Sequence, residues 1–159
     1  MFRTIVCFIL IFPLIFACTD NKQPKRAQAF QCLSSQSQCQ INTDNGQFVI
    51  LFNQSQIKVE EPFQIQLQYQ GDAKLTQINA FMEGKNMFMG KIPVIFTPST
   101  HQQTFTADVM VVACSEPVMQ WRLWFTVELL MKNNQKTSNS QTQKKPLIQS
   151  FFIDFTSSY

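Results

Sequence analysis

The chain has 159 residues, a formal net charge of +3, 45% hydrophobic and 13% aromatic residues, and 16 Phe against only 4 Gly. That apolar content excludes a disordered chain, the scarcity of glycine excludes collagen-like and Gly-rich architectures, and the small, scattered charge excludes the basic footprint of a nucleic-acid-binding protein. Once a targeting segment and a tether are set aside, about 110–130 residues remain, enough for one domain that buries its own core.

The first predicted element is a targeting segment over residues 1–17. Arg3 supplies a positive start, Ile5 to Phe16 is an apolar run interrupted by Pro13, and the small Ala17 precedes Cys18. This is signal-peptide anatomy, too short for a comfortable membrane-spanning helix. Ile15-Phe16-Ala17-Cys18 resembles the lipobox of bacterial lipoproteins, departing from it at Phe16, where a small residue is usual. The resemblance implies a diacylglycerol on the Cys18 sulfur, cleavage before it, and acylation of the new amino terminus, with palmitate as a typical chain. It implies in turn a lipid-anchored protein of the bacterial cell envelope. Thr19, in place of the Asp that marks inner-membrane retention in enteric bacteria, favours the outer membrane, with the domain facing the periplasm. Several acyl chains, at about 0.8 kcal/mol per buried CH2, make such an anchor stable. The alternative is simple secretion with an incidental Cys18. Either way the domain meets an oxidising compartment.

Residues 18–29 are polar and basic, with Lys22, Pro24, Lys25 and Arg26 and no apolar period, and read as a lipidated flexible tether. The folded domain spans 30–159. Period-two alternation dominates it: Phe48, Ile50 and Phe52; Phe63, Ile65, Leu67 and Tyr69 against glutamines; Met119 through Met131 in a long run; and Phe151, Ile153 and Phe155. Such alternation puts one face on a core and the other in water. Weaker strands are expected over Leu75 to Met82, Met87 to Phe96 and Thr104 to Cys114, the second bent or at an edge because of Pro93. Turns fall at Asp44-Asn45-Gly46, Gly71-Asp72, Glu83 to Asn86, Thr97-Pro98-Ser99 and Ser115-Glu116-Pro117. Residues 132–146 form a polar loop between the last two strands. Seven to eight strands with frequent turns predict an all-β fold, an antiparallel β-sandwich of immunoglobulin-like architecture.

Cys7 leaves with the signal and Cys18 is taken by lipid, so Cys32, Cys39 and Cys114 remain in the domain. Cys32 and Cys39, seven apart, are the natural disulfide of an oxidising compartment, and Cys114 is then a free thiol. The alternative pairs Cys114 with one of them. Sulfur is unevenly placed. Met82-Glu-Gly-Lys-Asn-Met87-Phe-Met89 and Cys114-Ser-Glu-Pro-Val-Met119 each set a sulfur residue, a four-residue turn and another sulfur residue. If both are hairpins of a meander, Met82, Met87, Met89, Cys114 and Met119 meet at one pole. Thiolate and thioether donors select soft ions, above all Cu(I). Against this stand two plainer readings: methionine as core filler, and an exposed Met-rich patch for a protein partner.

Signs of catalysis are absent from the sequence. His101, the single histidine, falls in a connection at the end opposite the sulfur residues. Glu83 and Glu116 read as surface turn residues, and Arg122 as an outward strand residue. No phosphate-binding Gly loop or Ser elbow is present. The sequence therefore leads to a membrane-anchored, non-enzymatic binding or accessory module of the envelope. Its contacts are the membrane through the lipid anchor and an envelope protein partner, with no nucleic acid. The alternative is a Cu(I)-binding or copper-delivery lipoprotein using the Met/Cys set.

Overall fold

The computed structural model describes residues 30–131 and 146–159. The signal segment at 1–17, Cys18 with the tether at 18–29, and all but Pro146 of the polar loop lie outside the described residues.

The described chain is all-β, with ten strand segments: β1 (Gln40–Thr43), β2 (Gly46–Phe52), β3 (Ile57–Lys58), β4 (Phe63–Gln70), β5 (Lys74–Gly84), β6 (Ile92–Val94), β7 (Thr97–Pro98), β8 (Thr104–Val109), β9 (Val118–Leu130) and β10 (Leu147–Ser158). Three of these have only two or three residues, which leaves seven strands of four or more. They form two five-stranded sheets, ordered β1-β2-β4-β8-β7 and β3-β10-β9-β5-β6. Neighbours are antiparallel, except that β3 runs parallel to β10 along Ile57↔Ser157. With β2, β4, β8 and β7 in one sheet, and β5, β6, β9 and β10 in the other, the order is that of an immunoglobulin-type sandwich.

The alternation read from the sequence becomes the core. Phe63, Ile65, Leu67 and Tyr69 of β4 point inward, as do Met119, Trp121, Leu123, Phe125, Val127 and Leu129 of β9. Aromatic rings close the two sheets on one another: Phe48 meets Phe151 at 4.6 Å between centroids and Phe52 meets Phe155 at 5.6 Å. Each such ring contributes on the order of 1.5–3 kcal/mol by leaving water. The buried Trp121 indole N–H donates to Ser157 Oγ at 2.9 Å, so its one polar group is satisfied.

The Asp44-Asn45-Gly46 turn closes the β1–β2 hairpin, where Thr43 pairs with Gly46. Gly46 has φ 138°, and the Tyr69 ring and the Gln70 carbonyl occupy the space a side chain would need. The disulfide is Cys32–Cys39, with Cα atoms 5.8 Å apart, and Cys114 is a free thiol. It ties the arm ahead of β1, which lies on the sandwich through Leu33 and through paired bonds between Gln31 and Phe52.

Two expected strands are shorter than the apolar pattern suggested. Within 87–98 only Ile92–Val94 and Thr97–Pro98 are strand, and the strand expected over 104–114 ends at Val109. Pro93 leaves β6 a short edge strand. Residues 110–117 are used instead to cross from the sheet of β8 to the sheet of β9.

Candidate metal centre

The sulfur residues do not sit across two tight hairpins. Met82 pairs with Ile92 rather than Met87, so the connection after β5 is long, and the segment from Cys114 to Met119 joins different sheets. Met89, Cys114 and Met119 nevertheless lie at one pole, because β5 and β9 are antiparallel. Gly84, at the end of β5, lies opposite Trp121, near the start of β9. The loop leaving β5 and the crossing that enters β9 therefore meet.

Gly84 is the point of convergence. A Cβ there would collide with the Met87 carbonyl oxygen, and would lie 3.2 Å from both Met119 Cε and Met89 Cγ. The two thioether side chains thus meet over a residue whose lack of a side chain makes room for them. Cys114 joins from the crossing, its Sγ 3.8 Å from Met89 Sδ. Metal–sulfur bonds of about 2.3 Å place neighbouring donors about 3.8–4.0 Å apart at tetrahedral or trigonal angles. The observed separation falls in that range, which is also that of an ordinary S–H···S contact. Met119 is buried, whereas Met89 and Cys114 are half-buried, so the site opens on one side. Met87 is half-buried and approaches Gly84 through its backbone. Met82 is fully buried in the core beside Leu123.

The surroundings hold these segments in place. Lys85 N–H donates to the Gln120 carbonyl at 2.8 Å. The Asn86 side chain donates to the Val118 carbonyl at 3.0 Å and accepts from Gln120 N–H at 2.9 Å. Asn86 so fixes the Met-bearing loop to the strand that carries Met119. The Tyr159 hydroxyl donates to the Cys114 carbonyl. Partners of this kind, one shell behind the donors, orient ligands. Neither Asn86 nor Tyr159 stood out in the sequence, because a polar turn residue and a tyrosine far along the chain carry no local pattern.

No protein-family model matches the chain, and the search of curated proteins and the search of solved structures each yielded no match.

The remaining predicted polar residues lie elsewhere. His101 is exposed in the β7–β8 connection, at the start of β8, whereas Cys114 follows its end. Glu83 is part of β5 rather than of a turn, and accepts from the Trp124 indole at 2.8 Å on the outer face of the sheet. Glu116 is exposed in the crossing. Arg122 does face outward from β9. Its guanidinium binds Asp154 at 2.7 and 2.9 Å and lies 3.8 Å from the centre of the Phe152 ring. Lys85 joins Asp154 from the other side at 2.7 Å. The Arg122 hydrogen bonds, with Lys85 in support, hold the Asp154 carboxyl below the usual aspartate range, and Asp154 raises Arg122 in return. Among the described residues no three His, Cys, Asp or Glu converge, and the sulfur side chains near Gly84 are thioethers, with the Cys114 thiol against Met89.

Proposed function

We propose that this protein is a non-enzymatic binding module of the bacterial cell envelope, held at the membrane by a lipid on Cys18, and that it binds Cu(I) through Cys114, Met89 and Met119. The observation that carries the reading is the convergence at Gly84. Side-chain carbons of Met119 and Met89 both come within 3.2 Å of the Cβ position at Gly84, and Cys114 Sγ lies 3.8 Å from Met89 Sδ. A thiolate with two thioethers is a soft donor set, which suits Cu(I) and disfavours Mg, Ca and Mn, ions that prefer oxygen. Met87 flanks the site, and Met82 supports it from the core.

The test is a Cu(I) competition titration against bathocuproine disulfonate, with the lipidated protein purified in detergent. Tight one-to-one binding is expected for the wild type. Cys114→Ser and Met89→Leu are each expected to weaken it at least a hundredfold with the fold intact by circular dichroism. Wild-type binding no tighter than that of Cys114→Ser would refute the metal reading and leave the sulfur cluster as core packing.

A further inference from the structure

A cleft of about 550 Å3 lies between the start of β5 and the β7–β8 connection. Lys74 opens the 11-residue β5 and Gly84 closes it, so the cleft is roughly 33 Å along that strand from the sulfur pole at the rise of an extended chain. Its wall is made of polar groups that are already engaged. The Gln103 side-chain amide donates to the Ala73 carbonyl at 2.7 Å and accepts from Leu75 N–H at 3.2 Å. The Gln103 carbonyl accepts from Tyr69 N–H at 2.9 Å. These bonds tie the connection before β8 to the start of β5, across the two sheets. They also hold Gln103 at φ 57°, a left-handed backbone that a residue other than glycine keeps where its surroundings fix it. Thr76, at the β5 bulge, donates its hydroxyl to the Glu128 carbonyl at 3.0 Å. Buried Leu75 and half-buried Phe105, with Pro98 paired beside it, give the cleft an apolar lining.

The other polar groups of the lining are not engaged. Lys74, Ser99, His101 and Gln102 also line the cleft, and none of their side chains has a partner among the described residues. Each can donate a hydrogen bond: an ammonium, a hydroxyl, an imidazole N–H and an amide NH2. No carboxylate lines the cleft, and Asp72, two residues before Lys74, lies outside its lining. We propose that this cleft binds a small organic carboxylate with an apolar body. A carboxylate only accepts, with about four lone-pair sites on its two oxygens, and so matches a mouth of free donors that includes one fixed positive charge. The body would cover Leu75, Pro98 and Phe105, which a bare inorganic anion would leave wet. The volume falls within the roughly 300–1,000 Å3 of small-molecule sites. The inference does not depend on Cu(I) at the opposite pole.

His101 is the sole histidine of the chain, so histidine labelled with 13C at Cε1 places a single NMR signal in the cleft. The untagged, lipidated protein in detergent is titrated at constant pH with 4-phenylbutyrate and with hexanoate as the probes. The controls are 4-phenylbutanamide, acetate and inorganic phosphate. A saturable shift is expected from at least one probe, at least tenfold tighter than from any control. Lys74→Ala should weaken the carboxylate tenfold and leave the amide within twofold; Lys74 is exposed and engages nothing in the fold. Ser99→Phe, which puts a ring into the cleft, should abolish the shift. No saturable shift from either probe would overturn the proposal. Equal binding of 4-phenylbutanamide would overturn it too, since the cleft would then read only the apolar body. Acetate or phosphate binding as tightly as the probes would reduce the cleft to exposed positive charge. Unchanged binding in both variants would place the ligand elsewhere.

Discussion

Gly84→Ala tests the convergence on which the site depends. The added methyl group would meet the Met87 carbonyl oxygen, which is backbone and cannot rotate away, and would press on Met119 Cε and Met89 Cγ at 3.2 Å. The loop after β5 must therefore move, straining the Lys85–Gln120 and Asn86–Val118 bonds that hold it. Forcing a methyl group into a packed site costs about 1–3 kcal/mol. With the loop bonds weakened as well, the upper part of that range is expected. Gly90→Ala is the control. Gly90 has φ 70° but nothing within 4 Å of its Cβ position, so it should cost about 1 kcal/mol through backbone strain alone. Urea unfolding followed by Trp fluorescence gives both values, provided the slope with denaturant stays the same. Cu(I) affinity should fall in Gly84→Ala and hold in Gly90→Ala. A Gly84→Ala protein within 0.5 kcal/mol of wild type, with unchanged Cu(I) affinity, would show that the Met-bearing loop does not close over β5 as described.

Three further outcomes are expected. Asp154→Asn should destabilise by about 1–2 kcal/mol at neutral pH, through loss of a charge-assisted fork to Arg122 and of Lys85. Because the folded-state pKa is depressed, that stabilisation is present above the unfolded aspartate value and is lost as pH falls through the folded one; thermal melts of wild type and variant should therefore converge only below about pH 4. Replacing Cys32 and Cys39 by Ser together should cost about 2 kcal/mol, the entropy of a short closed loop, and thiol labelling of the unreduced wild type should mark Cys114 but neither Cys32 nor Cys39. Cys18→Ser should move the protein from the membrane fraction to the soluble fraction, and mass spectrometry of the wild type should show the added diacylglycerol and acyl mass.

Much of the sandwich was legible because its strands are simple. A β-strand repeats every two residues, so Phe63 to Tyr69 against glutamines, or Met119 to Leu129, can be assigned from local order alone. The short disulfide was legible for the same reason, as both its cysteines lie in one seven-residue span. The site was legible only in part. The antiparallel alternation of strands pointed to the pole where Cys114, Met89 and Met119 lie, but the tight hairpins assumed for the five sulfur residues do not exist and Met82 stays in the core. Whether residues 110–117 turn back within a sheet or cross to the other depends on tertiary packing, which no local pattern records. Met82 and Met119 share an inward face of the same sheet, yet it is Met119 whose Cε comes within 3.2 Å of the Cβ position at Gly84. The outer-face network of Arg122, Asp154 and Lys85 joins residues up to 69 apart in sequence, and no spacing rule announces such a contact.

The contact between Cys114 and Met89 spans 25 residues, and the enclosed stretch holds β6, β7 and β8. An ion bonded to both sulfurs would turn that stretch into a closed ring, as a disulfide does. By the chain-entropy estimate for a ring of that size, this removes about 3.5 kcal/mol of freedom from the unfolded chain. The clasp would pin a crossing between two sheets, and β6 and β7 are the short edge strands beside it. In loaded protein these edges should resist proteases that cut them in the apo form, so that metal occupancy can be read from the pattern of nicks.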